Sequence, residues 1–380
     1  MGFLRRIIVL LYLSILMSGC TTSLIKLDIE PGYDGLEMYG QNTSRSFFYD
    51  VDKIDSLLLK WSSTTKGNFT NNSVVFADKY VFINDLAGRI YCFDIQTGKQ
   101  KGMLNYKGSI FTSPIINKFV IYFAVAGVNN SVSSIIGYDI FKGVELFKNE
   151  INGKITNELL ILDDGLIAVS QKGNIYKFNF KGEQVFSLGL NSNVNSLPVL
   201  YSNLIIFGTE NGEIVGVTKD KGKVEIREKI SDYPLLNGSI KNGIYYIGSG
   251  NGNLFAYDLN KRSSEIIFES KTKIIAAPSF DNENIYFGNL AGNFYSINLL
   301  SNKVNWKVEF KGLINASAIV TERKLIIPNL DKKIHLIEKT TGRIVSEYEF
   351  EGRIKLTPIP KDNYLFIGYD NGVLECYEIK

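Results

Sequence analysis

Histidine is nearly missing from this chain: His335 is the single one in 380 residues. Acid–base relays, most transition-metal centres and nucleophile–imidazole pairs draw on that side chain, so much of catalytic chemistry is disfavoured from the start. Three cysteines, none adjacent to another, are too few for a disulfide-framed domain. Neither charge is in excess, because 42 Lys and Arg face 39 Asp and Glu. A near-neutral surface argues against nucleic acid as a partner. Proline is scarce at 8 residues, whereas hydrophobic residues make up 45% and charged ones 21%. Those proportions describe a folded chain with a large core and exclude disordered and collagen-like classes.

The N-terminus reads as an address. Arg5-Arg6 precede an apolar run from Ile7 to Leu16, which is short for a permanent span and fits a secretory signal. Leu16-Met17-Ser18-Gly19-Cys20 resembles the bacterial lipobox, with Met17 in place of the commoner branched aliphatic. The resemblance implies a signal peptide over 1–19 and lipidation (palmitate among the acyl chains) at Cys20. Thr21 and Thr22 follow with no Asp, which resembles outer-membrane sorting and implies the periplasmic face of that membrane. Residues 20–56 show no sustained period and carry Pro31-Gly32, Gly35, Gly40 and a polar run over 41–46. They are expected to form a lipidated tether.

From residue 57 onward a repeat can be counted. A turn residue followed by a β-rich run recurs at Gly88, Ser133, Gly173, Gly212, Gly252, Gly292, Lys332 and Gly372, at intervals of 45, 40, 39, 40, 40, 40 and 40. In the sixth unit, strands are expected over 274–279, 284–288, 294–299 and 304–309. Apolar residues occupy both faces of the runs, as Ile90, Tyr91, Cys92 and Phe93 do, which suits strands buried on both sides. Four-stranded units at this period predict an all-β fold, an eight-bladed β-propeller over 57–380. The eighth unit ends after its third strand. Residues 57–62 resemble the fourth strands, so the N-terminal strand is expected to complete the last blade and close the ring.

The run Gly88-Arg89-Ile90-Tyr91-Cys92-Phe93-Asp94-Ile95-Gln96-Thr97-Gly98-Lys99 resembles the PQQ-like propeller repeat, as do Thr340-Thr341-Gly342-Arg343 and Ala276-Ala277-Pro278. A lipobox, a tether and one such propeller together resemble the lipoprotein component of the outer-membrane β-barrel assembly machinery. That resemblance implies a non-enzymatic, membrane-anchored scaffold whose partners are envelope proteins, with the membrane-embedded barrel-assembly protein foremost. The alternatives are a periplasmic ligand-binding or sensory propeller and a PQQ-dependent dehydrogenase.

The dehydrogenases resemble propellers with a tryptophan in nearly every blade, adjacent cysteines and a Glu, Asn and Asp around calcium. Here the tryptophans are Trp61 and Trp306 alone. The expected channel residues Asn157, Asn195, Ser196, Asn237, Ala276, Asn315, Ala316 and Thr357 supply no negative charge for a hard cation. No catalytic, cofactor-binding or metal-binding residue is therefore expected, and no cofactor. His335 occupies the repeat position of Tyr91 and Tyr295 and is expected to be packed. Gly248-Ser249-Gly250-Asn251-Gly252 joins two strands without a following helix and reads as a hairpin, not a phosphate loop. Cys92 and Cys376 share a repeat position and are expected to be free and buried. The interval of 45 places an insertion around Gly127, Val128, Asn129 and Asn130, the candidate partner loop.

Overall fold

The computed structural model describes residues 24–380 except Asp52 and Asn130. Its architecture follows from turns that recur once per repeat. Gly212 sits at φ 78°, and a Cβ there would stand 1.9 Å from the Ser231 carbonyl oxygen, so the tight hairpin excludes any side chain. Six hairpins are further fixed by a polar side chain that accepts the amide four residues on. These are Asp85, Ser170, Thr209, Ser249, Asn289 and Asn329. Between the turns, β-branched and aromatic residues favour extended backbone.

Eight antiparallel sheets result, one per repeat, each running outward from a short inner strand. Blade 1 has strands Val75–Ala77, Tyr80–Asn84, Arg89–Asp94 and Gln100–Asn105. Blade 8 takes Ile359–Lys361, Tyr364–Tyr369 and Val373–Ile379, and its outer strand is Leu57–Thr64 from the other end of the chain. Leu57 pairs with Ile379 and Thr64 with Val373, so the ring closes as expected. In the sixth blade the inner strand is only Ser279–Phe280, because residues 274–278 line the channel as irregular backbone.

In blade 6 the second and third strands are buried on both faces, whereas the outer strand alternates exposed and half-buried positions; in blade 1 the outer strand buries Gly102, Met103 and Leu104. Adjacent blades are stapled by an aromatic of one outer strand lying on a turn glycine of the next blade. Trp61 covers Gly98, Phe147 covers Gly182, Phe186 covers Gly222 and Trp306 covers Gly342. Each tryptophan also donates its indole N–H to a carbonyl of the neighbouring blade, at 2.7 Å for Ile95 and 3.0 Å for Lys339. Both tryptophans thus serve blade packing.

The expected tether is corrected from Leu24 onward. Ile25, Leu27 and Ile29 are buried in the groove between blades 1 and 2, and Met38, Tyr39, Arg45, Phe47 and Ile54 are buried farther on. The chain enters at the rim, crosses the face that carries the first-to-second and third-to-fourth strand turns (the lower face), and reaches the central axis. There it touches every blade. Tyr33 donates to the Phe76 carbonyl, Leu36–Glu37 pairs with Ile115–Asn117, and Arg45 donates to the Leu159 carbonyl. The amides of Leu200, Ile240, Phe280 and Val320 donate to the carbonyls of Thr43, Ser44, Ser46 and Phe47. Tyr39 hydroxyl meets Thr357 Oγ1 at 3.3 Å in blade 8. The segment leaves beside blade 7 and becomes the outer strand of blade 8. Apolar burial explains its order, since each buried side chain contributes about 1.5–3 kcal/mol against the entropy of ordering.

Candidate functional site

The N-terminal segment turns the propeller channel into a cavity closed at its lower end. About 250 Å³ remain open toward the upper face, lined by Tyr39, Thr70, Asn157, Glu158, Asn195, Asn237 and Asn315 among others. Three of these asparagines are bonded to the frame. Asn157 Nδ2 donates to the Val194 carbonyl at 2.9 Å, Asn237 Nδ2 to that of Ile275 at 2.9 Å, and Asn195 Nδ2 to the Glu210 carboxylate. Each of the first two ties one blade to the next.

The expectation of an uncharged channel is corrected by two residues. Glu158, beside Asn157, is buried, and its carboxylate accepts the Ser113 amide at 3.0 and 2.8 Å and the Ser113 hydroxyl at 3.1 Å. Desolvation pushes its carboxyl up to about 7, opposed by the Ser113 bonds and the Arg45 charge. Arg45, fully buried, donates to the Tyr39 and Leu159 carbonyls while its Nε has no partner. Burial pulls its guanidinium down to about 10, opposed by Glu158. Sequence reasoning passed over both, although four aromatics in eleven residues (Tyr39, Phe47, Phe48 and Tyr49) signal a buried segment and not a solvated one.

This donor set does not fit a quinone above a calcium ion. Glu158, the carboxylate lining the described part of the channel, has both oxygens held by Ser113 and an arginine near it, and the tryptophans lie between blades. No cluster of three or more His, Cys, Asp or Glu exists among the described residues.

The second candidate is the insertion in blade 2. Its strands Val120–Ala126 and Val132–Asp139 are lengthened, so their hairpin rises from the upper face, where the channel opens. The base is braced on both sides. Ser109 and Ala126 exchange backbone bonds at 2.9 and 2.8 Å, and Ser133 Oγ donates to the Gly153 carbonyl at 2.8 Å while accepting the Ile155 amide. Gly127 N–H donates to the Val132 carbonyl at 2.8 Å and closes the tip. Val128 is 68% exposed and Asn129 is exposed. Asn130, like Cys20 and the signal segment, lies outside the described residues. Beneath the tip is a cavity of about 420 Å³ lined by Tyr106, Lys107, Lys148 and Glu150. The arrangement offers a largely polar tip with one exposed apolar side chain, Val128, on a rigid mount with charged and aromatic groups at its foot.

The remaining sequence candidates are structural. His335 is buried, stacks on Phe310 at 4.2 Å and lies 2.9 Å from Asn329 Nδ2. Cys92 and Cys376 are free and buried, and desolvation raises both thiols, that of Cys376 to about 12. Residues 248–252 form a hairpin in which Ser249 Oγ meets the Asn253 backbone.

Comparison with known proteins supports the repeat reading. The family model described as "Outer membrane protein assembly factor BamB" matches residues 123–308. A curated relative of the same description from Francisella salina is 29% identical over 112 residues, 26% of this chain, and the match spans only 21% of that relative's length. The crystal structure of BamB from Moraxella catarrhalis superposes with a TM-score of 0.71 at 14% identity, covering 85% of this chain and 100% of that one. The quinohemoprotein alcohol dehydrogenase from Comamonas testosteroni gives 0.73 at 12% identity, covering 90% and 80%. At such identities the superpositions show the fold alone. The chain is a PQQ-like-repeat β-propeller that resembles BamB.

Proposed function

We propose that this protein is a non-enzymatic scaffold, lipid-anchored through Cys20 after removal of residues 1–19, that binds envelope proteins during outer-membrane β-barrel assembly. The partner surface is the upper face, with the blade 2 hairpin at Gly127, Val128, Asn129 and Asn130 as its most prominent point. The observation that carries this reading is the braced hairpin itself, which lies within the segment matching the assembly-factor family. A rigid mount that exposes Val128 among polar groups suits docking, since little entropy is lost when it meets a partner. The membrane-embedded barrel-assembly protein is the proposed partner, and the periplasmic face of the outer membrane the proposed location.

A second reading, a small-ligand site in the channel, is favoured by the buried Glu158 and Arg45. It is weakened by the channel's size, because ligand pockets ordinarily occupy roughly 300–1,000 Å³. Deletion of the gene tests the choice. Scaffold function predicts a lowered amount of outer-membrane barrels, restored by the wild-type chain and not by one lacking residues 127–131. Unchanged barrel levels would leave the scaffold without a client.

A further inference from the structure

The course of the N-terminal segment fixes more than the ring. Leu24 emerges at the lower rim between blades 1 and 2. A Cβ on Gly102, in the outer strand of blade 1, would stand 3.0 Å from the Leu24 carbonyl oxygen. One on Gly143, in the lower turn of blade 2, would stand 3.0 Å from Lys26 Cβ. Cys20 is four residues before Leu24. A fully extended chain spans at most about 3.3–3.6 Å per residue, so four residues reach roughly 14 Å. An acyl chain on Cys20 therefore holds this rim within roughly 14 Å of the bilayer surface.

The rim has the composition that such a position requires. Leu24 is 64% exposed, Phe141 48% and Val144 46%. Phe141 is the outer member of an aromatic row, 5.7 Å from Phe119, which lies 6.5 Å from Tyr33. The row roots the exposed ring in the fold. Lys26, Lys118 and Lys142 are exposed around it, and Lys142 pairs with Asp139 at 3.3 Å. Apolar side chains ringed by lysines suit the boundary of an anionic bilayer, where ammonium groups meet headgroups and apolar groups enter the acyl region. The exposed acids Asp28, next to Leu27 whose amide donates to the Ile140 carbonyl, and Glu145, next to Val144, offset part of the lysine charge.

We infer that the lower rim of blades 1 and 2, centred on Leu24, Phe141 and Val144, lies on the surface of an anionic lipid bilayer. This rests on the acylation of Cys20 proposed above. It also orients the molecule. Strand Val132–Asp139 runs from the hairpin tip to the turn holding Phe141, and eight residues at about 3.3 Å each hold the tip roughly 25 Å from the membrane.

The test uses the acylated full chain in vesicles of phosphatidylethanolamine and phosphatidylglycerol. Fluorophores are placed at Phe141→Cys, at Leu300→Cys on blade 6 and at Val128→Cys on the upper face. The buried native thiols, with their raised pKa, react slowly. Doxyl lipid should quench the Phe141 position several-fold more than either of the others. A label at Val144→Cys gives the same reading without disturbing the Phe119 contact. Equal quenching at all positions of a chain that floats with the vesicles overturns the orientation while leaving acylation intact. Failure to float overturns the acylation and, with it, this inference.

Discussion

At the scale of single residues, the least expected feature is a buried acid and a buried base beside the channel. Glu158 has a folded pKa of about 7 against an ordinary 4.5, so the folded state holds its proton more tightly than the unfolded chain. Its contribution to stability is therefore complete below pH 4.5 and is lost as pH rises through 7. A shift of this size corresponds to about 3 kcal/mol. Denaturant midpoints measured between pH 4.5 and 8 should fall more steeply for the wild type than for Glu158→Gln, and the gap between the two stabilities should change by that amount. Parallel profiles would mean that Glu158 ionises as it does in water. Neither member of the pair was legible in the sequence. Asn157 was read as a channel residue, but a carboxylate beside it enters such a site only if another group balances it, and Arg45 comes from a segment whose glycines and polar run suggested a loop. What the residue pattern did disclose was local. The Thr-Gly turn at Gly98 and Gly342 was visible, and the structure adds that Trp61 and Trp306 lie on those two glycines, where a Cβ would stand 2.6 Å from each ring.

At the scale of elements, strand number and blade boundaries were readable because a hairpin glycine and a paired strand obey short-range rules. The outer strand of blade 8 was readable for the same reason, since an incomplete final unit needs a fourth strand from elsewhere. The hub formed by residues 33–49 was not, because an irregular segment that bonds one blade after another has no period of its own. Its bonds nevertheless make it part of the fold. Removal of residues 24–51 strips Ile25, Leu27, Ile29, Met38, Tyr39 and Phe47 from their sites and opens the lower end of the channel. This truncation should lower the melting temperature by many degrees, where a mere tether would leave it unchanged. Removal through residue 64 should in addition expose the Val373–Ile379 edge and cause aggregation on size-exclusion chromatography. A first truncation as stable as the full domain would show that the eight-blade contacts contribute nothing.

At the scale of the whole molecule, the fold is a rigid ring with distinct ends. Its lower face is occupied by its own N-terminal segment, and its upper face carries the open cavity and the blade 2 hairpin. Fold alone is compatible with both assembly factors and quinone enzymes, as the structural likenesses show. The distinction rests on the site, where Asn157, Asn195, Asn237 and Glu158 are bound into the frame while Val128 projects free of it. The most direct test is a photoreactive residue at Val128 in living cells, with Leu300 as the control position on a lower-face turn. Scaffold function predicts a covalent adduct from Val128, and none from Leu300, with a component of the barrel-assembly machinery identified by mass spectrometry. Absence of any envelope protein from the Val128 adducts, in cells where the protein is present at its normal level, would contradict it.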